Sequence, residues 1–92
     1  MDDAYAYRLA RGLSADERIL LKWVVGHGGR WFQASDVDVF PGMRGDSIQY
    51  RLNKLLVKNL VSFKVGRSRY GRRQRWYSSN TYSAFVFGYI HC

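Results

Sequence analysis

The sequence predicts a small α+β domain in which helices come first and a β-hairpin follows them. Apolar side chains in residues 46–59 recur at helical spacing, whereas residues 61–65 alternate apolar and polar side chains with the period of two that is typical of a strand. A glycine-containing loop and a second extended run come next, which is the pattern of a hairpin. Ninety-two residues suffice for one such domain with a thin hydrophobic core.

Residues 46–59 form the helix on which the functional prediction depends. The apolar stripe consists of Ile48, Leu52, Leu55 and Leu56. Asp46 or Ser47 is expected to cap its first turn, and Asn59 is expected to close it, because Asn tolerates the left-handed conformation. The opposite face carries Ser47, Gln49, Tyr50, Asn53, Lys54 and Lys58. These groups suit the base edges and phosphates of a DNA major groove, and an ordinary solvated helix face is the alternative.

Two helices are predicted before this one. Residues 2–13 predict a short helix capped by Asp2 or Asp3. Ser14 opens a second helix, because Ser14 and Glu17 match the capping box in which two side chains satisfy two backbone N–H groups. The predicted apolar face of this helix is Ile19, Leu20, Trp23 and Val24. Three glycines end it.

The segment that follows is predicted to contain an extended piece and a further helix. Residues 30–32 are short and aromatic, which favours a brief strand or an extended link. Residues 34–40 predict about two turns of helix capped by Ser35. Pro41 and Gly42 stop that helix, because Pro has no backbone N–H to continue it and Gly frees the turn.

The predicted hairpin is strongly basic. Residues 61–65 predict a half-buried strand, and residues 76–79 predict its partner. The connecting residues 66–75 hold two glycines, five arginines and no acid, and this loop is long enough for its middle to be mobile. A solvated loop tip is the ordinary explanation, but five arginines without a carboxylate favour a binding function.

Charge is divided unevenly along the chain. Residues 1–46 hold six Lys or Arg and all seven Asp or Glu, whereas residues 47–92 hold nine Lys or Arg and no acid. Solubility needs only mixed charge, so an acid-free half indicates a polyanionic partner that carboxylates would repel. Nucleic acid is the leading candidate, and an anionic membrane surface is the second.

The end of the chain is apolar. Residues 81–92 contain many aromatic side chains and almost no charge, so they would form a sticky patch if they were exposed. They are expected to pack either on the core of their own chain or in the seam of a homodimer, and the sequence does not choose between the two.

The spacing of the helix end matches a known pattern. Leu-x-x-Leu, three residues and then Gly-Leu-Val or Gly-Leu-Ile is kept at Leu52, Leu55, Asn59, Leu60 and Val61, with Asn in place of Gly. With the order helix, short strand, helix, helix and hairpin, residues 14–80 resemble winged helix-turn-helix DNA-binding domains, similar to small regulators of the MarR, ArsR and PadR types. The resemblance implies a three-helix core plus a β-hairpin wing. Residues 1–13 then form an N-terminal arm, and residues 81–92 form an apolar C-terminal extension.

The resemblance also implies roles for individual residues. The helix at 46–59 would lie in the major groove of double-stranded DNA, and the wing would contact the backbone and a neighbouring minor groove. The implied base contacts are Ser47, Gln49, Tyr50 and Asn53. The implied backbone and wing contacts are Arg44, Arg51, Lys54, Lys58, Arg67, Arg69, Arg72, Arg73 and Arg75. A homodimer in the cytoplasm, associated with the nucleoid, is the expected state.

Other chemistry finds no support in the sequence. The two His and one Cys are scattered without the spacing of a zinc site, and no catalytic signature is present, so no enzyme, metal, cofactor or small-molecule ligand is predicted. No membrane association is expected, because no stretch combines a basic face with a strong apolar face. The alternatives are a winged helix that binds RNA or a protein partner, and an architectural protein that binds DNA regardless of sequence.

Overall fold

The computed structural model describes residues 2–67 and 70–90. Over these residues the chain forms four α-helices and one two-stranded antiparallel hairpin, which confirms the predicted α+β class and is compatible with a winged helix. The elements are α1 (Asp3–Gly12), α2 (Ala15–Gly26), α3 (Gly45–Val57), β1 (Ser62–Arg67), β2 (Arg73–Ser78) and α4 (Thr81–Phe87). None of the described helices has the length and apolar character needed to cross a bilayer.

The first two helices begin at the caps that the sequence predicts. The Asp2 carboxylate accepts a hydrogen bond from the backbone N–H of Tyr5 at 2.7 Å at the start of α1. At the start of α2, Ser14 Oγ accepts from the N–H of Glu17, and Glu17 Oε1 accepts from the N–H of Ser14. This reciprocal pair confirms the capping box, which satisfies two N–H groups that the helix itself cannot.

All four helices contribute to one hydrophobic core. The buried apolar side chains are Ala6, Ala10, Leu13, Leu20, Leu21, Val24, Phe32, Val37, Ile48, Leu52, Leu55, Leu60, Val61, Tyr77 and Val86. Asn80 caps the start of α4, and its side chain accepts from two backbone N–H groups. Helix α4 packs against α1 and α2, with Val86 fully buried. Packing on the core of the same chain, one of the two predicted arrangements for the tail, is therefore observed for residues 81–90.

The helix predicted over residues 34–40 is wrong. Only a single 3₁₀ turn, Ala34–Asp36, forms there, and it packs against α3. The Asp36 carboxylate accepts the backbone N–H of Gln33 at 2.9 Å, and Val37 then turns extended. Local side-chain bonding and β-branched residues both disfavour a continuing helix, and Pro41 blocks one. A single turn therefore stands where the resemblance implies the middle helix of a three-helix core.

Two finer predictions on the helices also need correction. On α2, Leu21 is buried, whereas Ile19 is 45% exposed. Helix α3 starts at Gly45, so Arg44 occupies the cap position, and the Asp46 carboxylate accepts the N–H of Ser47 within the first turn instead. The predicted apolar stripe of α3 is buried at Ile48, Leu52 and Leu55 and half-buried at Leu56.

The end of α3 confirms the prediction for Asn59. Its φ is 60°, in the left-handed region. The N–H of Asn59 donates to the carbonyl of Leu56, and the N–H of Leu60 donates to the carbonyl of Leu55, both at 2.9 Å. These two bonds form a Schellman motif, which satisfies carbonyls that a helix end otherwise leaves without partners. The motif turns the chain sharply from α3 into β1.

The hairpin confirms that two strands form, but the predicted loop at 66–75 is wrong at both ends, because β1 runs to Arg67 and β2 begins at Arg73. Phe63 pairs with Tyr77, and Tyr77 also forms an isolated bridge with Phe32, which accounts for the predicted extended piece at residues 30–32. The predicted half-burial of residues 61–65 is confirmed at Val61, which is 1% exposed, but not at Phe63 and Val65, which are 46% and 53% exposed. The strands run beyond the helical core, in a molecule 43 Å long and 20 Å thick. The predicted mobile middle of the loop includes residues 68–69, which lie outside the described residues.

Candidate nucleic-acid interface

The register of the hairpin divides its side chains between two faces. Cross-strand partners point to the same side of a sheet. The pairs Phe63–Tyr77, Val65–Arg75 and Arg67–Arg73 therefore share one face, which we call the inner face. The outer face carries the pairs Ser62–Ser78, Lys64–Trp76 and Gly66–Gln74. Three of the predicted wing arginines thus lie on one side of the hairpin.

The inner face of the hairpin is turned towards α3. The Tyr77 hydroxyl donates to Asn53 Oδ1 at 3.1 Å, and Arg75 Nη1 donates to the same oxygen at 3.3 Å. Beside these bonds, an open groove of about 720 Å³ separates the hairpin from α3 and the 3₁₀ turn. Its lining residues are Gln33, Ala34, Ser35, Gly45, Gln49, Val65, Arg73, Gln74, Arg75 and Tyr77. Polar amides and two arginines therefore meet in one accessible groove.

The four predicted base contacts occupy different parts of the α3 surface. Tyr50 is 60% exposed. Gln49 and Asn53 are half-buried on the side next to the hairpin. Ser47 is half-buried, and its carbonyl accepts a hydrogen bond from Arg51. Recognition of adenine by Asn or Gln uses both the oxygen and the nitrogen of the amide. Because the oxygen of Asn53 accepts two bonds from the hairpin, Gln49 is better placed for that role.

Two predicted phosphate contacts form ion pairs with acids of α2. Arg51 Nη2 lies 3.2 Å from Asp16 Oδ2, and its Nε also donates to that oxygen. Lys58 Nζ lies 2.6 Å from Glu17 Oε2, with the Glu17 side chain only 8% exposed. The two ion pairs join residues 35 and 41 positions apart in the chain, so they hold α3 against the start of α2.

The environment of Glu17 keeps its carboxylate charged. Burial raises the pKa of Glu17, but the hydrogen bond from Lys58 and the bonds from Ser14 together outweigh burial, so its pKa lies below the ordinary value of 4.5. Glu17 therefore works both as a helix cap and as the anchor for Lys58.

The remaining predicted cations lie on exposed surface. Lys54 Nζ lies 4.9 Å from the centroid of the Tyr50 ring, beyond the first turn of α3. Arg44 lies 3.7 Å from Asp46, a pair so exposed that its attraction is weak. Arg67, Arg72, Arg73 and Arg75 are exposed on the hairpin, and Arg69 lies outside the described residues. The structure thus brings Arg73 and Arg75 into the groove that Gln49 lines, whereas Arg51 and Lys58 lie beside acids of α2.

Sequence reasoning missed part of this surface. Gln33 and Ser35 line the groove because the bridge between Phe32 and Tyr77 draws their segment alongside β2. Pairing of the aromatic run at residues 30–32 with the hairpin is the signal that could have placed them there. Within the described ranges, no three His, Cys, Asp or Glu side chains come together in a way that could hold a metal ion.

Comparison with known proteins adds no family to this description. A scan against models of protein families and a search of curated proteins both find no match for the chain. A functional assignment therefore depends on the charges and geometry of the chain itself.

Proposed function

We propose that this chain is a winged helix that binds double-stranded DNA as a small transcriptional regulator, with association with the nucleoid and a homodimeric state as parts of the proposal. The observation that carries it is the open groove in which Gln49 of α3 faces Arg73 and Arg75 of the hairpin. Helix α3 lies in the major groove, and the hairpin follows the backbone towards the neighbouring minor groove.

The paired arginines at the far end of the strands support this proposal. The backbone N–H of Tyr77 donates to the carbonyl of Phe32 at 2.7 Å, and the carbonyl of Tyr77 accepts the N–H of Phe32 at 2.8 Å. The pair of Tyr77 and Phe63 on the other side is therefore not hydrogen-bonded. Pairs along an antiparallel ladder alternate between hydrogen-bonded and non-hydrogen-bonded, so the pair of Arg67 and Arg73 is also non-hydrogen-bonded. Side chains come closest together in pairs of this kind. Like charges directly opposite each other destabilise a hairpin. A polyanion lying between the two guanidinium groups removes this repulsion.

The proposal assigns a role to each group of residues. Tyr50 and Gln49 contact base edges, and Asn53 offers its amide N–H₂ while its oxygen holds the hairpin. Arg44, Lys54 and the wing arginines contact phosphates, which set affinity and register. Arg51 and Lys58 orient α3 through their acids on α2, and they contribute little to phosphate binding because their charges are already neutralised.

A salt titration tests the proposal. Anisotropy of a labelled duplex should give a log Kd that rises with log salt, with a slope of about 0.9 per phosphate contact. Replacing two contacts in Arg67→Gln/Arg73→Gln should lower that slope by about 1.8. The control, Arg8→Gln/Lys22→Gln, removes the same charge from the exposed surfaces of α1 and α2 and should leave the slope nearly unchanged. Equal loss in both variants, or binding that ignores salt, would refute the proposal.

Selection of bound sequences from a random duplex pool tests the specificity of binding. A regulator with α3 in the major groove should enrich one sequence, and a homodimer should enrich a palindrome. Enrichment of no sequence would indicate an architectural protein instead. Tighter binding of an RNA hairpin than of any duplex in direct competition would favour the RNA-binding alternative.

A further inference from the structure

The outer face of the hairpin carries aromatic side chains and a cation. Trp31, from the segment beside β2, is 41% exposed, and Lys64 Nζ lies 4.5 Å from the centroid of its ring. Trp76 is the cross-strand partner of Lys64. A shallow depression lies among these groups, lined by Trp31, Lys64, Gly66, Arg67 and Trp76. None of the five lining residues is acidic.

Gly66 shapes this depression. A Cβ built on Gly66 would lie 3.0 Å from Cδ1 and 3.1 Å from Nε1 of Trp76, so this edge of the indole lies close against the glycine. Gly66 does not adopt a positive φ, so its backbone conformation does not require glycine. The lack of a side chain matters here because it leaves room for the Trp76 ring. Any larger residue would displace Trp76 and change the floor of the depression.

This combination matches the chemistry of an unstacked nucleotide. An aromatic ring stacks on a base of any sequence, and each stacked base contributes about 1–3 kcal/mol. Lys64 supplies positive charge beside the rings, where the phosphates of a single strand pass. Charge complementarity favours a nucleic-acid strand over an apolar protein surface, since the Lys64 ammonium lies over the Trp31 ring and no acid lines the depression.

We propose that the outer face binds an unpaired base of a DNA strand that extends from the duplex on the inner face, an inference that rests on the proposed function. The two faces are opposite sides of a single two-stranded layer. A strand that leaves the duplex therefore reaches the outer face by passing one edge of the hairpin. The preferred partner is a duplex with a single-stranded extension rather than a blunt duplex.

The test compares a blunt duplex with the same duplex carrying a short thymidine overhang on one strand. Stacking of one base should tighten binding by about 5- to 150-fold, from 1–3 kcal/mol at 1.4 kcal/mol per tenfold. An overhang of abasic nucleotides keeps the phosphates but removes the bases, so it should give a much smaller gain. An equal gain from the abasic overhang would show that charge alone is responsible and would overturn the inference.

Variants of Trp31 separate this site from the duplex site. Trp31→Ala should abolish the gain from the thymidine overhang and leave blunt-duplex affinity unchanged, whereas Trp31→Phe should keep part of the gain. Tyr5→Ala removes a comparably exposed aromatic side chain from α1 and is the matched control. A gain that survives Trp31→Ala in a protein with an unchanged melting curve would overturn the inference.

The two proposals fail in different ways. Failure of the blunt duplex to bind refutes the proposed function, and a thymidine oligonucleotide that binds through Trp31 would still support the stacking site. Failure of the overhang to add affinity overturns only the stacking site. A gain seen with a ribonucleotide overhang but not with a deoxyribonucleotide overhang would also overturn it.

Discussion

Replacing Arg73 by Glu should stabilise the free protein and weaken its binding to DNA. Arg67 and Arg73 are cross-strand partners on the inner face, and both are exposed. The substitution changes a repulsive pair into an attractive one at the same site. It removes one phosphate contact and adds a charge that repels phosphate. Few other substitutions in this chain are expected to move stability and affinity in opposite directions.

The size of each effect follows from the geometry. Cross-strand charge pairs change stability by roughly 0.2–1 kcal/mol, and exposure of both side chains keeps this pair within that range. At 4–8 °C per kcal/mol for a domain of this size, a gain of about 0.5–1 kcal/mol raises Tm by about 2–8 °C. Loss of the Arg73 contact should reduce the salt slope by about 0.9, and neutralisation of Arg67 by the new carboxylate should bring the loss towards about 1.8.

Two measurements on the same samples check this prediction. Circular dichroism melts give Tm, and duplex anisotropy at several salt concentrations gives the slope. The stability gain should shrink at high salt, because exposed charges are screened. Arg73→Gln should fall between the wild type and Arg73→Glu in both measurements. A fall in Tm, or an unchanged slope together with a higher Tm, would refute the reasoning.

Three further predictions concern the elements that hold α3. Lys58→Met leaves the nearly buried Glu17 carboxylate without its ammonium partner, so chemical denaturation should show a loss of about 1–3 kcal/mol, and a loss near zero would contradict the anchor. Folding lowers the pKa of Glu17, so its ionised carboxylate contributes fully to the free energy of unfolding at pH values above 4.5, the pKa in the unfolded chain. This contribution is lost as the pH falls through the pKa of Glu17 in the folded protein. Glu17→Gln keeps the capping box but should reduce the loss of stability at acidic pH, measured by denaturation curves over a pH series. An unchanged loss of stability at acidic pH would contradict this role of Glu17. Asn59→Gly should keep or raise Tm, because glycine adopts φ 60° without strain. Asn59→Val should lower stability by about 1–2 kcal/mol, because a β-branched residue is strained at this φ. Equal melting curves for the two variants would contradict this prediction.

The parts of the fold that the sequence predicts are those with local signals. The capping box at Ser14 and Glu17 spans one turn, and Asn59 closes α3 by bonds to carbonyls within the same helix end. Such features depend on a few consecutive residues and on backbone conformation. They can therefore be predicted without knowledge of tertiary packing.

The sequence does not predict the geometry that distant parts of the chain decide. Arg51 and Lys58 looked like free cations on a helix face, but their partners lie in α2, which the sequence does not place beside α3. Likewise, no local pattern in the sequence predicts that Asn53 Oδ1 accepts a hydrogen bond from the Tyr77 hydroxyl. The alternation in β1 correctly predicts a strand, but the extension of that strand beyond the core exposes the apolar side as well.

The most direct test of the central claim is to map the duplex on the protein. Amide chemical shifts of ¹⁵N-labelled protein, followed during a titration with duplex DNA, report where the duplex lies. The geometry predicts the largest changes at the exposed side of α3 around Gln49 and Lys54 and along β2 around Arg73, with little change in α1. Changes concentrated in α1 and α4, with the groove between α3 and the hairpin unaffected, would contradict the claim.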